Sequence, residues 1–502
     1  MVSCKTPKKK NPVGGGGTPA ADPRITAFKG IPFAAPPVGN LRWKAPQPAA
    51  SWEGVKDCIE FAPISVQNIP GLNKDDIYTR EWNVDPEIPM NEDCLYLNVW
   101  TPAKSADEKL PVYVWYFGGG LQVGNPAEME FDGERLARRG IVVVSVNYRV
   151  NVFGFLAHPE LTAEAPEAPT NFGHLDQQAG LLWTKRNIAV SGGDPNRFTN
   201  GDRSAGGMSV LAQLTCPANE SIIQGAIVES GIFMGFYQPR VLQTLADAEK
   251  RGDDFFAFLG AKNLEEARAL SAEYIRDKNN EYQGRWGTVT DGVFQPANYM
   301  DSLRSGKLLD VPLMMGYTDD EFFAVPEAES EESLRELAQQ QFGERAEEFL
   351  SLIKAEEGLE AAKENARVST IKNAVHAAFR MMEKNGMKSP RYFYAFGPEI
   401  PGWDHPGAFH SSDLWFFFET LAKCWRPFTG KHYDLARQMC NYWVNFIKTG
   451  NPNGEDADGS PMEAWAPYQL REPICMGFRD MPKAEVSKTS PLEELLIESQ
   501  MK

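Results

Sequence analysis

Two apolar runs stand out in the first third of the chain. Residues 112–117 (Val-Tyr-Val-Trp-Tyr-Phe) and 141–148 (Ile-Val-Val-Val-Ser-Val-Asn-Tyr) have strand length and almost no polar interruption. Such strands are buried on both faces, which belongs to a mostly parallel sheet covered by helices. Further strands are expected at 93–100, 225–231, 311–316 and 391–396, with a weak one at 197–199. Between them the period changes. Over 171–190, Leu175, Ala179, Leu182 and Ile188 fall on one helical face. Residues 242–259, 264–274 and 331–384 are rich in Ala, Glu, Leu and Arg at helical spacing. Strands alternating with helices predict a doubly wound α/β fold with a central, mostly parallel sheet. We expect one domain over 25–490, with helical insertions at about 242–310 and 325–390. Residues 1–24, a lysine run followed by Gly14 to Gly17, read as a flexible tail, and 491–502 as a C-terminal tail. The Pro/Gly-rich stretch 29–39 and the polar stretch 68–89, which carries Tyr78 and Trp82, read as loops.

Charge narrows the choice of partner. The 502 residues carry a net charge of −17, so no basic field exists to displace counterions from nucleic acid. No apolar run reaches the ~18 residues of a membrane span, and the charged N-terminus lacks the apolar segment of a secretory signal. These features lead us to expect a cytoplasmic protein, monomeric or homodimeric, acting on a small molecule. The seven cysteines (4, 58, 94, 216, 424, 440 and 475) are widely spaced and form no Cys-x-x-Cys. They read as reduced, small core residues rather than metal ligands. No metal or other cofactor is called for.

Candidate chemistry centres on residues 200–207, Asn-Gly-Asp-Arg-Ser-Ala-Gly-Gly. Ser204, Ala205 and Gly206 match the second half of a Gly-x-Ser-x-Gly nucleophile elbow, which raises a serine hydroxyl above a strand end. The first half is irregular, because Asp202 stands where the motif has glycine. Gly118, Gly119 and Gly120 end the strand at 112–117 abruptly, and successive glycine N–H groups are able to hold an oxyanion. A serine needs a base, and the base an orienting acid. Of six histidines, His376 lies in a helical run and His405 and His432 in polar loops. His410 lies among small residues after the strand at 391–396, and Glu321 follows the strand at 311–316. The order Ser204, Glu321, His410 is the one α/β-hydrolases use. On spacing alone, Asp319 and Asp320 remain rival acids.

Several motifs together resemble the type-B carboxylesterase family, which includes cholinesterases and bacterial para-nitrobenzyl esterases. They are residues 28–37 (Phe-Lys-Gly-Ile-Pro-Phe-Ala-Ala-Pro-Pro), 92–99 (Glu-Asp-Cys-Leu-Tyr-Leu-Asn-Val), 118–120, 147–149 (Asn-Tyr-Arg), 193–195 (Gly-Asp-Pro), 204–207, 316–321 and 407–410. The likeness spans about 25–480 and is nearest to bacterial members. It implies an α/β-hydrolase fold, Ser204 as nucleophile, Glu321 rather than Asp319 or Asp320 as acid, and His410 as base. It further implies Gly119, Gly120 and Ala205 as oxyanion-hole amides, Ser230 as a serine supporting the acid, and an Arg42–Glu92 ion pair. Trp82, Trp415, Phe416 and Phe417 are expected to form an aromatic substrate pocket.

Three departures stand against this likeness. Phe117 replaces a histidine before the glycines. Serine stands near residues 65–67, where secreted relatives pair a cysteine with the equivalent of Cys94. At the elbow, Asp202 and Arg203 occupy the places of Gly and of an acidic or amide residue. Either Asp202 is a true substitution, with strain of about 1–3 kcal/mol, or the Gly201–Asp202 pair is shifted by one residue. Arg203 beside the serine adds a cation that is able to help an oxyanion and disfavours an imidazolium on His410. The expected function is a serine carboxylesterase of small esters. The alternative is an impaired or silent cholinesterase-like binding protein.

Overall fold

The computed structural model describes residues 17–237 and 243–502. Its centre is an 11-stranded sheet. In chain order the strands are β1 (Thr18–Pro19), β2 (Thr26–Pro32), β3 (Tyr96–Thr101), β4 (Leu110–Trp115), β5 (Val142–Val146), β6 (Gly193–Arg203), β7 (Gly225–Glu229) and β8 (Leu313–Thr318). A separate pair, β9 (Phe323–Ala324) and β10 (Val368–Ser369), lies outside the sheet, which continues with β11 (Arg391–Phe396), β12 (Ile474–Phe478) and β13 (Pro482–Val486). The spatial order is β1-β2-β3-β5-β4-β6-β7-β8-β11-β12-β13. The run from β5 to β12 is parallel, and antiparallel pairs occur only at its margins.

This is the expected α/β-hydrolase architecture, and its cause is visible in the burial. Every residue of β5 and β7 is buried, as are five of the six in β4, so helices must cover both faces. The helices Phe172–Asn187, Ala205–Thr215 and Gly430–Thr449 are among those that do so. The expected insertions contain the helices Leu245–Leu259, Leu264–Ala269 and Ala272–Tyr282, and later Glu331–Phe342, Ala346–Leu352 and Thr370–Lys384.

Both chain ends differ from expectation where they are described. Thr18 and Pro19, within the expected tail, pair with β2; the lysines before them lie outside the described residues. Residues 491–502 contain the helix Pro491–Gln500, capped by Ser490 and Glu493. Its Leu492, Leu495, Leu496 and Ile497 are buried, because their spacing gives the helix one apolar face. The helix Thr370–Lys384 packs against it, and Arg380 pairs with Glu494 at 2.6 Å. Among the described residues no helix is long and apolar enough to cross a membrane.

The cysteines fit the reduced reading. Among the described residues, Cys58, Cys94, Cys216, Cys424, Cys440 and Cys475 form no disulfide; Cys4 lies outside the described residues. Cys94 is fully buried, and its thiol faces the Ser65 side chain.

Candidate active site

β6 runs to Arg203, and the helix Ala205–Thr215 starts two residues later, so the chain must reverse at Ser204 alone. It does so with φ 58° and ψ −127°, a backbone that costs a non-glycine residue about 1–3 kcal/mol. The turn is held by Ser204 N–H donating to Glu229 O at 2.8 Å and by Met208 N–H donating back to Ser204 O at 3.0 Å. So sharp a reversal forces backbones together. A Cβ on Gly207 would lie 2.8 Å from Gly231 Cα, and one on Gly206 would lie 1.9 Å from Asp202 Cγ.

The same contacts decide how Asp202 is accommodated. β6 pairs with β7 in unbroken register, from Thr199 opposite Gly225 to Arg203 opposite Glu229. Gly201 therefore sits inside the strand, opposite Ile227, and the one-residue shift is not what the chain does. Asp202 occupies the position two before the serine and keeps ordinary strand geometry. The crowding is met at Gly206, which has no side chain to clash. The cost appears in solvation: Asp202 is fully buried, Oδ1 accepts from Arg203 N–H at 2.5 Å, and Oδ2 has no hydrogen-bond partner. Burial, reinforced by the nearby Glu128 carboxyl, pushes its pKa well up despite Arg203, which favours the neutral form.

Around Ser204 the expected side chains converge. His410 Nε2 lies 2.7 Å from Ser204 Oγ. On its other side His410 Nδ1 is hydrogen-bonded to Glu321 Oε2. Glu321 Oε1 accepts from Ser230 Oγ at 2.6 Å and from Thr318 N–H at 2.8 Å. Glu321 is fully buried, which alone would raise its pKa; His410, Arg203 and Ser230 outweigh that and hold it below the usual range. The imidazole pKa is lowered to about 4, by burial first and then by the Arg203 cation, against the pull of Glu321. His410 is therefore neutral at rest, as a general base must be.

The rival acids are engaged elsewhere. Asp319 pairs with Arg479 at 3.2 Å, and Asp320 Oδ2 accepts from Ala408 N–H at 2.8 Å. His376 is a core residue between Tyr468 and Ser487. His432 caps the helix Gly430–Thr449.

The glycine loop abuts the elbow. A Cβ on Gly118 would lie 2.8 Å from Arg203 O and 3.2 Å from Ser204 Cβ. Gly119 has φ 116° and Gly120 φ 65°, conformations that glycine adopts at little cost. The N–H groups of Gly119, Gly120 and Ala205 donate to no other group among the described residues. Phe117, in place of the expected histidine, stacks on Tyr148 at 4.2 Å, and Tyr148 Oη donates to Phe117 O at 2.6 Å, fixing the start of the loop.

Arg203 is only 1% exposed. Its Nε donates to Asp413 Oδ1 at 2.9 Å and one terminal nitrogen to Ser411 Oγ; the other lies 3.6 Å from Glu321 Oε2. The cation is thus held by carboxylates on the histidine side, and its bonds do not support the oxyanion role. Asp413 in turn accepts from Tyr394 Oη at 3.1 Å. Sequence reasoning missed Asp413, Ser411 and the fully buried Glu229, whose Oε1 accepts from Trp443 Nε1 at 2.6 Å. An arginine in an elbow that must be buried was the available signal, since such a charge needs a partner. The expected Arg42–Glu92 pair is present, at 2.6 Å.

A cavity of 670 Å³ opens over Ser204. Of the expected aromatics only Trp82 lines it, together with Tyr78, Phe131, Phe233, Phe322 and Leu414 among others. Trp415, Phe416 and Phe417, expected in the pocket, do not line it. All three are buried in the short helix Leu414–Phe417. Trp415 packs behind Trp82 at 6.1 Å and donates to Glu81. Phe416 packs on Phe396, and Phe417 on Trp115 and Trp443. One helical turn shows one side to the cavity, and that side is Leu414. Phe322, immediately after Glu321, was not anticipated; its ring meets His410 edge-on at 4.3 Å. No group of three or more His, Cys, Asp or Glu among the described residues is placed to hold a metal.

Comparison with known proteins agrees with this architecture. The profile of the carboxylesterase family matches residues 12–490. The chain is 30% identical to a fumonisin B1 esterase of Sphingopyxis macrogoltabida, over 90% of this chain and 83% of that protein. It is 32% identical to the cocaine esterase of Homo sapiens over 88% and 82% of the two chains. With the para-nitrobenzyl esterase of Bacillus subtilis (strain 168) it shares 31% over 86% and 88%. A solved PNB esterase structure superposes with a TM-score of 0.76 at 28% identity, covering 96% of this chain and 97% of that one. Sheet order, elbow and full-length similarity lead to one conclusion: the chain belongs to the carboxylesterase family and is a carboxylic ester hydrolase of the α/β-hydrolase fold.

Proposed function

We propose that the chain is a serine esterase acting through an acyl-enzyme, with Ser204 as nucleophile, His410 as base and Glu321 as acid. The observation that carries this is the continuous chain of contacts from Ser204 Oγ through both nitrogens of His410 to Glu321, with three unpartnered backbone N–H groups around the serine. Ser204 Oγ attacks the ester carbonyl as His410 Nε2 takes its proton. The imidazolium so formed is stabilised by Glu321, which also fixes the tautomer that leaves Nε2 free to accept. Gly119, Gly120 and Ala205 donate to the tetrahedral oxyanion. His410 returns the proton to the departing alcohol, and water hydrolyses the acyl-enzyme by the same route in reverse. The protein is one catalytic domain that takes in Thr18–Pro19 and the helix Pro491–Gln500 besides residues 25–490, and it acts without metal or organic cofactor on small carboxylic esters.

Asp202 and Arg203 are compatible with this reading. Asp202 is buried, with its carboxyl pushed toward the neutral form, and packed against Gly206, while Arg203 is neutralised by Asp413. The test is labelling by a fluorophosphonate probe and hydrolysis of para-nitrophenyl acetate and butyrate, beside Ser204→Ala. Labelling and turnover that vanish in the variant are expected. An unlabelled protein no faster than Ser204→Ala would instead favour the silent binding protein.

A further inference from the structure

Arg285 belongs to the segment after the helix Ala272–Tyr282. Its guanidinium reaches over the glycine loop: one terminal nitrogen lies 3.7 Å from where a Cβ on Gly120 would stand. The side chain lines the cavity that contains Ser204 and His410. Among the described residues its guanidinium has no carboxylate or hydrogen-bond partner.

The backbone beneath it is fixed. Gln122 Nε2 donates to Gly120 O at 3.1 Å and also to Trp286 O, and Gln122 Oε1 accepts from Trp286 N–H at 3.3 Å. Trp286 is buried, donates through Nε1 to Asn279 at 2.6 Å and packs edge-on to Phe255. A second cation, Arg251, donates to the carbonyl of Arg285 itself at 2.9 Å.

Arg285 and Gln122 also line a second cavity, of 240 Å³. Its other walls are mainly amide side chains, among them Gln67, Asn151 and Asn279, together with Arg276, and no carboxylate lines it. Arg276 is paired with the exposed Asp277 at 2.8 Å, so of the two arginines Arg285 is the one without a partner among the described residues. Acids do face the main cavity, namely Asp76, Glu128 and Glu130. Asp76 caps the helix Ile77–Glu81. Glu128, half-buried, stands beside the buried Glu130, and desolvation pushes both upward, Glu128 to about 7. The acidic wall therefore carries less charge at neutral pH than its composition suggests.

We propose that Arg285 selects esters whose acyl part ends in a carboxylate, the half-esters of short dicarboxylic acids. An Arg–carboxylate pair is a strong, geometrically defined contact. Placed beside Gly120, it holds the free carboxylate a few bonds from the scissile carbonyl while Ser204 attacks. The Oγ–acyl bond forms, the ester C–O bond breaks, and the alcohol leaves with the proton that His410 took from Ser204. Water then releases the diacid, whose far end is bound by Arg285 and the amides of the second cavity. The inference rests on the esterase reading.

Monomethyl glutarate and its uncharged diester, dimethyl glutarate, form the test pair, followed by alkali uptake beside para-nitrophenyl butyrate. At neutral pH and low salt, kcat/KM for the half-ester is expected to exceed that for the diester by about tenfold or more, mainly through KM. Arg285→Ala should reduce that ratio to about two or less, Arg285→Lys should keep part of it, and about 0.5 M salt should weaken it. A diester hydrolysed as well as the half-ester, or a preference that survives Arg285→Ala, overturns the inference. If para-nitrophenyl butyrate is cleaved but monomethyl glutarate is not, this inference falls and the esterase reading stands; if neither is cleaved, both fall.

Discussion

The carboxyl of Asp202 fills the space above Gly206: a Cβ on that glycine would lie 1.9 Å from both Asp202 Cγ and Oδ2. The elbow keeps its turn because the crowding added two residues before Ser204 is cancelled two residues after it. Gly206→Ala should therefore be severely destabilising alone, and much less so with Asp202→Gly. A double-mutant cycle by denaturant unfolding should give a coupling of about 1–3 kcal/mol. Additive effects would mean that the two residues do not share this space.

Arg203 and Asp413 form a buried pair 2.9 Å apart with exposures of 1% and 0%. Removing one charge strands the other. Asp413→Leu alone should cost about 3–5 kcal/mol, whereas Arg203→Met with Asp413→Leu should regain most of it. Unfolding of both variants, compared with wild type, decides this.

If His410 is the base, as proposed, its proton uptake should set the acid limit of activity. With a pKa lowered to about 4, the proposed base stays neutral through mildly acid pH. Activity should be lost only as pH falls through that value, well below the ordinary imidazole range. Arg203→Gln removes one cause of the lowering, so the acid limb of kcat/KM for para-nitrophenyl butyrate should move upward. An unmoved limb would show that burial alone sets it.

Glu321 takes part in three hydrogen bonds through its two oxygens. Glu321→Gln should lower kcat by roughly 10³–10⁴-fold, because the amide no longer stabilises imidazolium or fixes the tautomer. Ser230→Ala removes only a supporting hydrogen bond and should cost much less, about tenfold. Burst and steady-state kinetics on para-nitrophenyl butyrate separate the two.

The aromatic residues divide by position. Trp82 lines the cavity, so Trp82→Ala should raise KM for aryl esters. Phe417 lies between Trp115 and Trp443, so Phe417→Ala should cost about 3–5 kcal/mol of stability with little change in KM for the folded enzyme. Equal effects on KM would contradict this division.

Most of the fold was legible because its information is local. Strands apolar on both faces, such as β5, allow few solutions other than a covered parallel sheet. Ser204 and His410 were legible as candidates because strand ends and small-residue loops mark where an α/β sheet places reactive groups, whereas Glu321 was separated from Asp319 and Asp320 only by the family resemblance. Local pattern failed at the C-terminus, where four apolar residues of the helix Pro491–Gln500 passed for a tail until their packing partners were known. It also failed for Trp415, Phe416 and Phe417, since which side of one helical turn faces a cavity depends on elements far away in sequence.

The sequence by itself determined the sheet, the order of the serine, acid and histidine, and the irregularity at Asp202 and Arg203. Only the tertiary structure decided what that irregularity means. Asp202 is tolerated by the empty side of Gly206, and Arg203 is neutralised by Asp413, 210 residues away along the chain. Steric vacancy and charge compensation between distant residues are properties of packing, and packing is what a linear pattern does not contain.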